Sequence, residues 1–269
     1  MWILILILLF VYLYISANNN LKFVKSQDET PGFNVIDVFN KSEVNYILSL
    51  VQSKRYLDIK KFISNHSGVL KQIYSMYGEE YTFVDYIFSI EKSSVSTCHR
   101  DENGFVFNKN LKHPSYTIIF YLEEMDACLD VIPRSHEEKN KIYLSKSLES
   151  IPCVPGQAII FNADLIHSGS INKKDDNKRI QMKIVHKDDL ENVKQFDKYY
   201  RVGDVSKNTS EQSTLFFRRL SCTLPAVADL TKNGNALPEF MGRMYKRLVY
   251  GDKDNYKLKV VQDLSATNA

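Results

Sequence analysis

The chain opens on an unbroken apolar run, MWILILILLFVYLYIS, with no charge between Trp2 and Ser16. As a helix, these fifteen residues would cover about 22 Å, short of the roughly 30 Å hydrocarbon core of a bilayer. A signal-peptide core has a similar length, but no basic side chain precedes the run, and Ile15-Ser16-Ala17 is a poor small-x-small cleavage site. Residues 1–17 are therefore expected to be an uncleaved, single-pass membrane anchor. Lys22 and Lys25 follow directly and place the body on the cytosolic side, with lumenal and secreted placements left open. Residues 18–31 are polar, end in proline and read as a linker.

Beyond the linker the pattern becomes periodic. Phe33 to Phe39 alternates and predicts a first strand. Val44, Ile47, Leu48 and Val51 then recur at i, i+3, i+4 and i+7, the stripe of an amphipathic helix. A second helical stretch runs from Leu57 to Tyr77 with a break at Ser67-Gly68. From Tyr81 the period shortens: TFVDYIFSIE, SYTIIFYLEE, CLDVIP, QAIIFNA and RIQMKIV are β-rich runs separated by DENG, PRSHEEKN and NKKDDNK. Short strands without long helices between them predict an antiparallel sandwich or jelly roll over residues 32–189. The remaining 190–269 form a looser C-terminal extension, with a helix expected from Pro238 to Val249. There are no internal repeats.

Composition changes this picture little. A 269-residue chain with 44% hydrophobic and 25% charged residues has ordinary globular make-up. A net charge of +3 is too small to imply nucleic acid. From Leu190 onward thirteen Lys/Arg face nine Asp/Glu, a balance read as a solvated basic face. Cys98, Cys128, Cys153 and Cys222 are scattered, without C-x-x-C or a dense framework. Sequons at Asn40, Asn65 and Asn208 are about as many as chance supplies and do not decide the membrane side.

The candidate chemistry starts at Cys98-His99-Arg100-Asp101-Glu102-Asn103-Gly104, where a strand ends. In extended backbone His99 and Asp101 project from one face, with Arg100 turned the other way. That spacing suits two ligands of one metal, and equally a hydrogen-bonded surface pair. Only six histidines occur, and His167 ends another strand, GQAIIFNADLIH. Distant strand ends meet at the mouth of a jelly roll. His99, Asp101 and His167 would then make a 2-His-1-carboxylate face with three coordination positions open, which suits non-haem Fe(II) and also permits zinc. Arg179, twelve residues after His167, offers a planar fork for the far carboxylate of a 2-oxo acid. Lys178 is the runner-up for that role.

These residues carry a family resemblance. His99-x-Asp101, His167 and Arg179 resemble the signature of Fe(II)/2-oxoglutarate-dependent oxygenases. CLDVIPRSH and PGQAIIFNADLIHSGSINKKDDNKR resemble segments of the phytanoyl-CoA dioxygenase family. The likeness covers roughly residues 33–188. It implies a mostly β double-stranded β-helix (jelly roll) with flanking helices, Fe(II) on His99, Asp101 and His167, and 2-oxoglutarate, O2 and ascorbate as co-substrates or cofactors. The activity implied is hydroxylation of an organic substrate with release of succinate and CO2; the resemblance leaves the substrate unknown, and the expected anchor favours a lipid or small molecule. The retained Asp101 favours hydroxylation over halogenation.

The chain departs from the family at several positions: Arg134 where glycine is frequent, Gln157 for the usual acid, Arg100 between the ligands, where it would alter access, and a slightly long spacing to Arg179. His136 is expected to be structural, and His113 and His186 ordinary surface residues. Tyr86, Tyr116 and Tyr121 are expected in the core, with Tyr116 and Tyr121 as candidates to bond the oxo-acid carboxylate. Expected partners are the membrane, through residues 1–17, and a small-molecule or lipid substrate, with no nucleic acid. The competing expectations are a catalytically inactive jelly roll that binds metal or carboxylate, and a membrane-tethered interaction protein.

Overall fold

The computed structural model describes residues 31–93, 97–101, 111–137, 148–172, 174–204, 218, 220–223 and 259–260. The anchor expected over 1–17, the expected linker as far as Thr30 and the helix expected over 238–249 lie outside the described residues. The chain divides into Met1–Thr30 and Pro31–Ala269, and everything below concerns the second unit. Among the described residues, no helix is long and apolar enough to cross a membrane.

The first strand, β1 (Phe33–Asp37), leads into α1 (Lys41–Gln52). Asn40 starts this helix with a capping box: its Oδ1 accepts from Glu43 N at 3.0 Å, while Glu43 Oε2 accepts from Asn40 N at 2.8 Å. Two orphan amides of the first turn are thereby satisfied. The helical stretch after it is two helices, α2 (Tyr56–Ser64) and α3 (Ser67–Tyr77). The break falls at Asn65-His66, just before the expected Ser67-Gly68, because His66 caps α3 by accepting from Val69 N at 3.3 Å. The other ring nitrogen of His66 meets Glu43 at 2.9 Å, tying the start of α3 to the start of α1.

The β region follows as β2 (Tyr81–Phe83), β3 (Tyr86–Lys92), β4 (Tyr116–Tyr121), β5 (Met125–Val131), β6 (Glu149–Cys153), β7 (Gln157–Asn162), β8 (His167–Gly169) and β9 (Asp176–His186). A 3-10 segment, Lys187–Phe196, then leads to β10 (Tyr199–Gly203), and β11 is Lys259–Val260. The larger sheet runs β1-β7-β4-β9-β3-β10-β11, with β2 also on β9; the smaller runs β6-β5-β8. Mostly antiparallel strands in two facing sheets give a jelly-roll-like architecture. β10 lies parallel to β3, so the main sheet continues past residue 189.

Two cores sit on opposite faces of the larger sheet. Ile118, Phe120, Ala158, Ile160, Ile180, Met182 and Ile184 pack against Val44, Ile47, Ile59, Ile63, Val69 and Ile73 of the helices. The alternate residues Ile119, Tyr121, Ile159 and Phe161 pack against Met125, Leu129, Val131 and Ile151 of the smaller sheet. β4 and β7 are thus covered on both sides, which is why they read as continuous apolar runs. Gly156 closes the turn before β7 with φ +95°, and a Cβ there would lie 2.3 Å from the Phe39 carbonyl oxygen. Its own carbonyl accepts from Val38 N and Phe39 N, both at 3.0 Å. Only glycine permits so close an approach of two backbones.

Candidate metal centre

His99 and His167 meet across a short antiparallel bridge. His99 N donates to His167 O at 2.9 Å and His167 N to His99 O at 3.0 Å. Asp101 N donates to Ala163 O at 2.7 Å, a further tie between the two segments outside the bridge register. The two strand ends therefore arrive together, and period-two projection turns His99 and Asp101 toward His167.

Each imidazole is oriented by the chain just before it. His99 Nδ1 lies 2.9 Å from Thr97 O, and His167 Nδ1 lies 2.9 Å from Leu165 O. A carbonyl can only accept, so both Nδ1 atoms carry a proton, and in the neutral ring each Nε2 then keeps the lone pair, the arrangement of metal-ligating histidines. Each Nε2 stands 3.7 Å from Asp101 Oδ1, and the three ligand atoms lie within 4.8 Å of one another. The rings are tilted by 52° with centroids 4.5 Å apart, so the lone pairs can converge. The His99 side chain is 25% exposed, against 6% for His167 and 8% for Asp101, which puts the open side of the site at His99.

The other carboxylate oxygen is held from β4 and β9. Asp101 Oδ2 accepts from Thr117 Oγ1 at 2.5 Å and has Gln181 Nε2 and Lys183 Nζ at 3.4 Å. Lys183 is buried, with its ammonium 5.5 Å from the Tyr86 ring centroid and 5.0 Å from that of Phe196, within cation–π range. Sequence reasoning missed Thr117, Gln181 and Lys183. The signal was present for two of them, since Arg179, Gln181 and Lys183 alternate along one face of β9.

Arg100 is buried and donates from Nε to Asp164 O at 2.9 Å. It is turned away from the ligands, as period two implies, and pins the turn before His167. In the neighbouring PRSH turn, Ser135 Oγ accepts from Ile166 N at 2.7 Å, a second hold on the residues leading to His167. Arg134 has φ 65°, the left-handed conformation that explains the frequent glycine of the resembled motif.

Arg179 faces Tyr121 across the β4–β9 ladder. Its side chain is buried and donates to Asn177 O at 3.1 Å. Among the described residues no carboxylate pairs with it, and the buried Tyr121 hydroxyl has no hydrogen-bond partner. Burial draws the Arg179 guanidinium below its ordinary pKa, opposed by Tyr121 and Cys128, and raises the Tyr121 phenol well above its own. A buried cation and an unsatisfied hydroxyl thus share the sheet face that carries Thr117 and Lys183, a donor set that an anion could satisfy.

The other candidates lie elsewhere. Lys178 turns the opposite way and is bound to Glu123, with Nζ–Oε1 at 3.0 Å. Tyr116 stacks on Tyr77 at 3.9 Å toward the helices. His136 is half-buried, and burial lowers its pKa. A second grouping, His113, His186 and Asp188, also has ligand-type atoms in reach of one another. Its imidazoles stack face to face, 3.7 Å apart and 25° from parallel. No cation can lie in both ring planes there, so this grouping lacks the convergence found at His99 and His167.

No protein-family profile matches the chain, and no curated protein matches it in sequence. Solved structures with a similar chain path include a non-heme monooxygenase, ThoJ, at 13% identity and TM-score 0.48, covering 58% of this chain and 75% of that one. The non-heme alpha-ketoglutarate-dependent epimerase SnoN from nogalamycin biosynthesis is 14% identical with TM-score 0.47, covering 58% of this chain and 79% of that one. HygX from Streptomyces hygroscopicus, with nickel and 2-oxoglutarate bound, is 15% identical with TM-score 0.46, covering 58% and 82%. The likeness is partial and assigns no role to individual residues of this chain.

Proposed function

We propose that the chain is an Fe(II)- and 2-oxoglutarate-dependent oxygenase that hydroxylates a lipid or small organic substrate. The observation that carries this reading is the convergence of two proton-fixed imidazoles and one carboxylate, each Nε2 being 3.7 Å from Asp101 Oδ1. Two neutral nitrogens and one anionic oxygen, with further coordination positions open, suit non-haem Fe(II). The unpartnered Tyr121 hydroxyl and the Arg179 guanidinium without a carboxylate partner among the described residues supply a second donor set, suited to the far carboxylate of the oxo acid.

His99, Asp101 and His167 would hold the iron. When bound, iron would supply the site at which dioxygen acts as oxidant, one oxygen atom going to succinate as 2-oxoglutarate loses CO2 and the other to the substrate C–H bond. The protein's share is position and electrostatics. Thr117 keeps one Asp101 oxygen occupied so that the other faces the imidazoles. The Thr97 and Leu165 carbonyls fix both ring tautomers. Arg179 would orient the oxo acid by its planar fork, and the apolar wall of Ile119, Ile159 and Phe161 keeps water from that side.

The test uses the full chain, loaded anaerobically with Fe(II) and titrated with 2-oxoglutarate. Chelation of iron by the oxo acid gives a visible charge-transfer band without any substrate. The band is expected in wild type, absent in Asp101→Ala and shifted to higher oxo-acid concentration in Arg179→Ala. A folded, iron-bound protein without the band would end the oxygenase reading and favour a metal- or carboxylate-binding protein.

A further inference from the structure

The backbone is helical at Arg218 and Leu220–Thr223, and this segment is bonded to both strands that carry the metal-site histidines. Cys222 forms a disulfide with Cys98, the residue before His99, with Cα atoms 4.9 Å apart, a separation that a disulfide spans without backbone movement. Cys98 N donates to Ser221 Oγ at 2.8 Å, and Ser221 Oγ donates to Arg218 O at 2.8 Å. From the same turn Arg218 reaches the other strand. Its Nη1 donates to Gly169 O at 2.9 Å, two residues beyond His167, and its Nη2 donates to Asp130.

Asp130 lies opposite Ser168 in the β5–β8 ladder. It also accepts from Ser150 Oγ at 2.5 Å and Ser170 Oγ at 2.6 Å. Arg218 and Asp130 are 4% and 6% exposed, so solvent screens this ion pair little, and removing either partner leaves a buried charge. Cys98, Cys222, Ile132 and Ile166 pack together as one small core, and Ile166 directly precedes His167.

The bridge between His99 and His167 is isolated, outside any continuous strand pair. Its two backbone hydrogen bonds are supplemented by Asp101 N to Ala163 O at 2.7 Å and Arg100 Nε to Asp164 O at 2.9 Å, all of them non-covalent. Arg218 and Leu220–Cys222 add a further hold, covalent on the His99 side and ionic on the His167 side.

We propose that Arg218 and Leu220–Cys222 form a strap across the metal centre, and that Arg218 and Cys222 are positioning residues whose effect depends on oxidation of Cys98 and Cys222. This rests on the reading of His99, Asp101 and His167 as the metal site. Forming the bond takes two protons and two electrons from the two thiols; an exchanging protein or small-molecule disulfide accepts them and leaves as two thiols. Such bonds persist in oxidising compartments and are rare in the cytosol. The strap therefore assigns the folded domain to a lumen or the cell exterior, against the cytosolic placement expected from Lys22 and Lys25.

The test compares Fe(II) binding by the full chain, produced through an oxidising secretory route, before and after reduction by a water-soluble phosphine. Peptide mapping after alkylation is expected to find Cys98 joined to Cys222, with Cys128 and Cys153 alkylated. Reduction is expected to raise the Kd for Fe(II) at least tenfold with little change in the far-ultraviolet circular dichroism spectrum, and reoxidation to restore it. Arg218→Met should weaken binding to a similar degree, and Arg218→Lys should recover part of the loss. Reduction of folded wild type also covers the case in which Cys222→Ser fails to fold. Free thiols at both Cys98 and Cys222, or equal Fe(II) affinity before and after reduction, would overturn the strap alone. An oxidised wild type that binds no Fe(II) would overturn the metal-site reading, and the strap's role with it.

Discussion

Replacing Thr117 by valine removes one hydroxyl and keeps the shape of the side chain, at a site that is fully buried. That hydroxyl donates to Asp101 Oδ2 at 2.5 Å, whereas Gln181 and Lys183 stand at 3.4 Å from the same oxygen. The short contact is a charge-assisted bond and the long ones are weak replacements. Because the bond exists without metal, most of its strength falls on the fold: about 1.5–3 kcal/mol for a hydrogen bond to a charged group. For a domain of this size that lowers Tm by about 3–12 °C. Metal affinity falls only by the cost of re-aiming Asp101 Oδ1 once the carboxylate is free to turn toward Lys183, about tenfold or somewhat more. Differential scanning fluorimetry of the metal-free protein gives the first quantity, and anaerobic Fe(II) titration the second. Thr117→Ser keeps the hydroxyl and should hold metal within a few-fold of wild type. If valine binds Fe(II) as tightly as threonine, Thr117 does not aim the carboxylate. If serine is as poor as valine, the methyl group and not the hydroxyl matters.

Gly156→Ala should lower stability by at least about 2 kcal/mol, since it combines a left-handed φ with a Cβ against the Phe39 carbonyl; an unchanged thermal midpoint would show that the β6–β7 turn relaxes freely. Arg134→Gly should change stability by less than about 1 kcal/mol, because relief of φ 65° offsets the extra freedom of the unfolded chain. Arg134→Val should be clearly worse than glycine in chemical denaturation, as a β-branched residue suits that φ least. Burial lowers the His136 pKa in the folded state, so its contribution to stability is complete above the unfolded value of about 6.5 and is lost as pH falls through the folded value. Thermal midpoints of wild type should therefore decline between pH 7.5 and 5 more steeply than those of His136→Gln, and parallel profiles would remove His136 from the account.

Local periodicity carried much of this protein in its sequence. The i, i+3, i+4 stripe of Val44, Ile47, Leu48 and Val51 became α1 because 3.6-residue periodicity is a property of a single segment. Period two likewise put His99 and Asp101 on one face, turned Arg100 away and set Lys178 opposite Arg179. The limit came where strands are covered on both sides. β4 and β7 show no polar alternation, so nothing local told that Thr117 and Tyr121 face the site while Tyr116 faces the helices. Only the tertiary structure decided that His99 and His167 share two hydrogen bonds, since pairing between distant strand ends depends on sheet order and not on either segment. The disulfide was equally illegible: Cys98 has three possible partners in the sequence, and only the fold brings the Cα of Cys222 to 4.9 Å from its own, leaving Cys128 and Cys153 free. Spacing along the chain fixes what a residue can point toward, and packing decides what is there to meet it.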